Sequence, residues 1–543
     1  MAKNKILQFH KIISLHISII FFVSGCASVQ QPNGGPKDTQ APKVTKEVPG
    51  NLTKNFKSER IEIQFNEFVK LNNEFSEISI SPAVDEMPIF KARKNILDIK
   101  FDKPLEERTT YTINFGKSIG DVNENNLLKN YTYVFSTGDQ IDSLSISGTV
   151  SNSLTKEKLK DATVFILPVS RDSIFGKKRA NIFTTTDSSG NFELKNLRED
   201  KYLLYALLEQ SGDRIYNSPE EEIGFIKDTL NLNKNIKDLT IEVFKEQPDI
   251  FRVLDKKIEN DGRILVAFNL ALKNPSLEII EPKGLNSEKT TEFSSKMDSA
   301  IIWLPNLTFD SLKVSLSDQG KAIDTISIYR NKKDTYKRAV SVSDNMPAAK
   351  LKPGTNPQLI FTSPLASFDQ SKITLLLDSS AVKTFQIVKD STSSRRYVMK
   401  NSWKQGKEYD LKLAEGAFSD IYGNKSKVYS RKFTVDTEEN YGNIAIEITV
   451  PDTSKTYVIQ WLNEQNVLLR KDVITKNTVL NYNRYPTAKY KIRVVYDANK
   501  NGLWDTGSIK LKLQPEKVWN FDKVLTLRPN WDLEEKLIIP PLE

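Results

Sequence analysis

Ile61-Glu62-Ile63-Gln64-Phe65 sets an apolar side chain at every second position with a polar one between. That spacing buries one face of an extended chain and leaves the other in water, so it reads as a β-strand in a two-layer structure. The same alternation recurs in Leu97, Ile99 and Phe101; in Tyr111, Ile113 and Phe115; in Leu144 and Ile146; along Ile444, Ile446, Ile448 and Val450; and along Tyr490, Ile492, Val494 and Tyr496. Turn-forming stretches fall between such runs, among them Asp187-Ser188-Ser189-Gly190-Asn191, Gly423-Asn424 and Asn501-Gly502. Long helical periodicity is hard to find. The fold class predicted is all-β, a tandem array of sandwiches.

A chain of 543 residues exceeds one compact core. With 38% hydrophobic and 27% charged residues it has the composition of ordinary globular domains. Its formal charge of +9 is scattered, which argues against a nucleic-acid partner.

Two segments resemble each other. One carries Ile61 to Val69, Tyr111-Thr112-Ile113-Asn114-Phe115, Asp121-Val122-Asn123-Glu124-Asn125 and Tyr133-Val134-Phe135-Ser136-Thr137-Gly138-Asp139. The other carries Leu359 to Leu365, Tyr409-Asp410-Leu411-Lys412-Leu413, Asp420-Ile421-Tyr422-Gly423-Asn424 and Lys432 to Asp436. Both resemble the bacterial Ig-like domain of S-layer proteins. The first lacks the turn glycine of that family, and the second lacks the acid of the opening strand.

A different series, Ile146-Ser147-Gly148-Thr149-Val150, then Asp187 to Phe192, then Lys201 to Ala206, resembles the transthyretin-like fold of carboxypeptidase regulatory domains. The last hundred residues show a similar order and read as a diverged relative. Residues 249–345 are β-patterned without a recognised family.

Near the start, Lys3, Lys5 and Lys11 precede an apolar run from Ile12 to Val23, too short for a bilayer span, and then Ser24-Gly25-Cys26. This resembles a bacterial lipoprotein signal. The resemblance implies cleavage before Cys26 and a covalent lipid on it, each buried methylene adding about 0.8 kcal/mol of membrane affinity. His10 and His16, the two histidines, lie in that leader, and Cys26 is the one cysteine. A processed chain then has no histidine and no free thiol, which excludes Ser-His-Asp and Cys-His catalysis, histidine-ligated zinc and disulfides. Residues 27–42, rich in Gln, Pro and Gly, read as a tether.

The expected organisation is a signal peptide at 1–25, a lipidated tether at 26–42, an Ig-like domain at 43–140 and a transthyretin-like sandwich at 141–248. An unassigned β-rich domain at 249–345, a diverged Ig-like domain at 346–437 and a C-terminal sandwich at 438–543 follow. The whole resembles lipoproteins of Bacteroidota.

Asp497-Ala498-Asn499-Lys500-Asn501-Gly502-Leu503-Trp504-Asp505 has the oxygen spacing of an EF-hand-type calcium loop. The ligands would be Asp497, Asn499, Asn501, the Leu503 carbonyl and Asp505. Position twelve is Ser508 instead of an acid, so the ion would be weak and structural. The other reading is a bare Asn501-Gly502 turn. In the related loop Glu209 to Asn217, arginine stands at position six and opposes a cation.

Acid runs at Glu106-Glu107, Glu220-Glu221-Glu222 and Glu438-Glu439 supply the residue type of a glycosidase but read as solvated turns. Of the aromatic residues near the C-terminus, Trp504 and Trp531 are the candidate partner contacts.

These readings lead to a non-catalytic outer-membrane lipoprotein, anchored on the cell-surface side, serving as a scaffold subunit of an envelope complex with protein partners. The alternatives are a glycan-binding surface protein and, last, a carboxylate-dependent hydrolase.

Overall fold

The computed structural model describes residues 37–542, apart from 83, 85, 210, 211, 219 and 332. The structure is all-β, and the chain divides into two compact units, one ending at Asp142 and one running from Ser143 to Glu543. Cys26 and the leader lie outside the described residues.

The alternation at Arg60–Phe65 works as its pattern requires: Ile61, Ile63 and Phe65 are buried while Glu62 and Gln64 face solvent. In the first unit this strand lies in a sheet with hydrogen-bonded order Val44–Val48, Arg60–Phe65, Ile96–Lys100, Ile89–Arg93. A second sheet places Thr110–Asn114 between Ser79–Ser81 and Thr132–Ser136. Phe56, Tyr111, Phe115, Tyr133 and Phe135 pack in the layer between them.

The same order recurs twice in the second unit. Between residues 253 and 329 one sheet runs Val253–Ile258, Ile264–Phe268, Ser299–Trp303, Thr290–Phe293, and the other sets Ser311–Asp318 between Pro275–Glu281 and Lys321–Tyr329. Between 342 and 435 the order is Val342–Asp344, Gln358–Phe361, Arg396–Lys400, Gln386–Lys389. Its facing sheet has Glu408–Leu413 between Ile373–Leu377 and Tyr429–Val435. The stretch without a recognised family thus has the strand order of its neighbours.

Two local devices are shared by the first and last of these sandwiches. The Tyr111 hydroxyl accepts the Glu106 amide at 3.0 Å, and the Tyr409 hydroxyl accepts the Lys404 amide at 3.0 Å, each five residues upstream. Such a bond pins the corner where the chain changes sheets. Asp121, 1% exposed, accepts the amides of Glu124, Asn125 and Asn126. Burial pushes its carboxyl up, but those amides outweigh burial and hold it below the usual aspartate value. Asp420, also 1% exposed, accepts the amides of Tyr422 and Asn424.

A second topology also occurs twice. Leu144–Asn152 pairs antiparallel with Asn191–Leu197 and parallel with Ile236–Lys245, while Thr163–Pro168 lies between Ile182–Thr185 and Asp200–Leu208. Tyr441–Thr449 likewise pairs antiparallel with Thr478–Pro486 and parallel with Asp532–Ile538, and Thr456–Leu462 lies between Leu468–Ile474 and Lys489–Asp497.

These two related sandwiches hold each other through contacts between residues at least 261 positions apart in the chain. Thr163–Pro168 is buried on both faces, its Val164 and Ile166 inward and its Phe165 and Leu167 outward. The outer layer also includes Phe183, Tyr205, Phe225 and Phe244, and Ile509 of the C-terminal sandwich packs against it. In return Leu154 packs against Val458, Val495 and Val518 of the C-terminal sandwich. Hydrogen bonds seal the rim: Thr506 Oγ1 donates to the Lys245 carbonyl at 2.6 Å, the Ile509 amide to Glu246 at 2.7 Å and Gln514 Nε2 to the Phe225 carbonyl at 2.8 Å. Asn520 Nδ2 donates to the Leu154 carbonyl at 2.9 Å.

Gly507 allows this approach, since a Cβ there would sit 2.5 Å from Phe244 Cζ and 2.7 Å from the Leu513 carbonyl oxygen. Gly507→Leu is expected to lower the stability of this unit by ~1–3 kcal/mol through overpacking, measured by chemical denaturation. An unchanged unfolding midpoint would show that the contact does not hold the sandwiches.

Candidate functional site

The loop predicted to bind calcium leaves the end of Lys489–Asp497 and forms part of the contact just described. Asp497 is 2% exposed, and its two carboxylate oxygens accept the amides of Asn501 at 3.1 Å and Gly502 at 2.8 Å. Asn499 Oδ1 accepts the Asn501 amide at 3.1 Å, and Asn501 Oδ1 accepts the Leu503 amide at 2.7 Å. Asp505 Oδ2 receives the side-chain nitrogens of both Asn499 and Asn501, at 2.5 and 2.7 Å.

The side chains of Asp497, Asn499, Asn501 and Asp505 are therefore brought together, with their oxygens accepting N–H donors and two amide nitrogens facing Asp505. In this arrangement the loop is closed by its own hydrogen bonds. It fits the bare turn, with Asp497 satisfying backbone amides that the tight loop leaves unpaired.

One residue of this loop escaped the sequence reading. Glu516 bridges the two ends, accepting the Ala498 amide at 2.8 Å and the Asp505 amide at 3.1 Å. Burial pushes its carboxyl above the usual glutamate range, opposed by those two amides. It lies beyond the twelve-residue window of the motif, so only folding reveals it.

The matching loop of the earlier sandwich behaves differently from its sequence reading. Carboxylate oxygens of Glu209, Asp213 and Glu221 lie within 4.8 Å of one another. Glu221 thus turns inward from an acid run expected to be solvated, its Oε2 accepting the amides of Asn217 at 3.1 Å and Ser218 at 3.2 Å. The Arg214 amide donates to Glu209 at 2.9 Å, and the Arg214 guanidinium lies 3.8 Å from the centre of the Phe183 ring. Two other acids of these runs sit in surface pairs, Glu438 with Arg484 at 2.7 Å and Glu220 with Lys245.

Trp504, expected at a partner surface, is half-buried within the chain. Its Nε1 donates to the Glu516 carbonyl at 3.0 Å, and it packs in the same small cluster as Leu154, Val458, Val495 and Val518. The loop folds back over its own sheet and takes the ring with it. Trp531 is 51% exposed, with the Arg528 guanidinium 5.5 Å from its ring centre.

Residues 38–137 match the family model of the bacterial Ig-like domain. The match opens inside the stretch read as tether, where the Asp38 carbonyl accepts Asn126 Nδ2 at 3.1 Å and Pro42 is buried. No curated protein matches the chain.

Among solved structures it is similar to BcpA, the major pilin subunit of Bacillus cereus, at 10% identity and a TM-score of 0.14, over 73% of this chain and 99% of that one. The S-layer protein rSbsC is similar at 10% identity and a TM-score of 0.15, over 89% and 67% of the two chains. SGBP-B of the Bacteroides ovatus mixed-linkage glucan utilization locus, solved with a mixed-linkage heptasaccharide, is similar at 12% identity and a TM-score of 0.17, over 71% and 94%. At TM-scores this low, none of these bears on what the chain does.

Thermal unfolding in millimolar calcium and in a chelator should give midpoints within about 1 °C, because a ligand stabilises only a fold that binds it. A calcium-dependent rise of several degrees would restore an ion to the Asp497 loop. Asp497→Ala should cost ~1–3 kcal/mol in either buffer, as buried amides lose their acceptor.

Proposed function

We propose that this protein is a non-catalytic lipoprotein, held by a lipid on Cys26 at the outer membrane with its domains on the cell-surface side, where it acts as a scaffold subunit of an envelope complex. The observation that carries this reading is the joining of the sandwiches in Ser143–Glu543 by buried side chains.

Glu292 and Arg395 form an ion pair at 2.7 Å between two successive sandwiches, each side chain 20% exposed. Glu292 also accepts the Ser393 hydroxyl at 2.9 Å. Beside it Arg338 lies 3.5 Å from the centre of the Tyr422 ring and donates to the Pro305 carbonyl at 3.0 Å. A pair this sheltered from water is screened much less than an exposed one, so it fixes orientation as well as proximity. Together with the contact around Ile509 and Leu154, it supports a unit that presents several surfaces in a set arrangement. A lipid anchor would then concentrate those surfaces near membrane partners.

The distribution of acids also favours this reading over a hydrolase. Glu438 and Glu220 are spent in surface ion pairs, and in the tight carboxylate group found among the described residues, at Glu209, Asp213 and Glu221, backbone amides engage Glu209 and Glu221.

Two measurements test it on protein from its native membranes. Mass spectrometry of the N-terminal peptide should find acylated Cys26 as the first residue, and mild-detergent purification should retain stoichiometric protein partners. An unacylated chain beginning at Met1 would defeat the anchor, and a solitary species would defeat the scaffold.

A further inference from the structure

The first and third of the sandwiches that share one strand order also share a set of backbone bonds at one end, so their residues there can be matched. In the first, the Phe65 amide donates to the Asn95 carbonyl at 2.8 Å and the Val122 amide to the Phe68 carbonyl at 3.1 Å. In the third, the Phe361 amide donates to the Arg395 carbonyl at 3.0 Å and the Ile421 amide to the Pro364 carbonyl at 3.1 Å. Asn95, Phe68 and Val122 thus stand where Arg395, Pro364 and Ile421 stand.

In the third sandwich this end is the surface that meets the sandwich before it. Arg395 pairs with Glu292, the Tyr422 ring next to Ile421 lies under the Arg338 guanidinium, and Pro364 is buried. In the first sandwich the same end is open, with Phe68 58% exposed and Val122 47%. Two apolar side chains held side by side in water mark a surface that gains by being covered.

The path of the chain says what covers it. The described residues begin at Lys37 and enter the first sandwich at this end: the Asp38 carbonyl accepts Asn126 Nδ2 at 3.1 Å, and the Lys43 amide donates to Asn66 Oδ1 at 2.6 Å, two residues before Phe68. The chain leaves at the other end. There the Asp142 amide donates to Thr110 Oγ1 at 3.1 Å, and Thr110 opens the strand whose opposite end, Asn114, leads toward Ile119–Asp121. Cys26 stands eleven positions before Lys37, a stretch that spans at most about 40 Å.

We infer that this end of the first sandwich rests on the lipid surface that holds Cys26, with Phe68 and Val122 entering the boundary between headgroups and acyl chains. The inference rests on the lipoprotein reading of Cys26 and adds to it the face that the protein turns to the membrane. A lipid attached so close upstream keeps that surface at high local concentration, so a small apolar contact holds that two side chains alone could not maintain. The charges around Phe68 and Val122 are of both signs, Glu67 and Glu124 with Lys70 and Lys94. Lys70 Nζ reaches the Val122 carbonyl at 3.4 Å, and the Lys94 carbonyl accepts the Val69 amide at 2.8 Å. Such a mixture calls for no anionic headgroup, and a zwitterionic surface fits it.

The acylated full chain in phosphatidylcholine vesicles tests it, with brominated phosphatidylcholine as a quencher confined to the lipid. None of the six tryptophans precedes Trp303, so Phe68→Trp, or Val122→Trp as a second probe, places a reporter in a unit that has none. The emission each adds should fall by about half in brominated lipid, as for a ring at the headgroup boundary. That added by Asp139→Trp, on an exposed residue just past the Ser136–Thr110 pair at the other end, should not change. Mass spectrometry of the same preparation reads the anchor separately. Acylated Cys26 with both added rings unquenched overturns the docking and leaves the anchor standing, as does equal quenching of Asp139→Trp. A blue shift without quenching, the mark of a partner protein or a second copy on this end, also overturns the docking. Unacylated Cys26 overturns both.

Discussion

The second unit depends on a sheet that is apolar on both sides. A sandwich needs one buried face per sheet and commonly leaves the other in water. Here Phe165, Phe183, Tyr205, Phe225 and Phe244 cover the outer face of the sandwich formed by Leu144–Lys245 with aromatic surface. A segment within its own sequence, carrying Ile174 and Phe175, covers part of it. Tyr216 covers another part, and Ile509 meets it from a loop at the far end of the chain. Burying that face holds the C-terminal sandwich against its relative. The reciprocal insertion of Leu154 then makes the contact mutual.

Repetition explains much of the remaining architecture. Five sandwiches use two strand orders, and the devices at their corners recur: a tyrosine hydroxyl on an upstream amide, and a buried aspartate on turn amides. These satisfy polar groups at the sites where a strand leaves its sheet, where an unpaired amide would cost most. What varies among copies is the material added at their ends, and there the molecule carries its chemical individuality. The first sandwich has a polar cleft, the loop at Glu209 gathers three carboxylates, and the matching loop of the C-terminal sandwich closes on itself around Asp497.

The candidate loop at Asp497 shows how far spacing can be trusted. Its oxygen-bearing residues are spaced for a cation, and the structure does bring them together. The orientation of Asn499 and Asn501 was not legible, since an amide offers either an oxygen or a nitrogen and the sequence does not say which. Nor was Glu516, whose place in the loop follows from the path of the chain and not from a fixed interval. Trp504 is half-buried for a related reason: composition identifies a large ring but not the sheet that a folded-back loop will lay it against.

By itself the sequence determined the all-β class and the positions of many strands, because period-two burial is a local property of an extended backbone. It also pointed to the kinship of the first and third of the sandwiches that share one strand order, through motifs held at turns. Tertiary structure alone decided that residues 253–329 share their strand order, since pairing is set by partners distant in the chain and diverged side chains preserve it without preserving a motif. It alone decided, too, that Ile509 would cover Phe244. Continuous apolar runs such as Val164 to Leu167 announce a strand buried on both faces, but which surface arrives to bury it depends on how the whole unit closes.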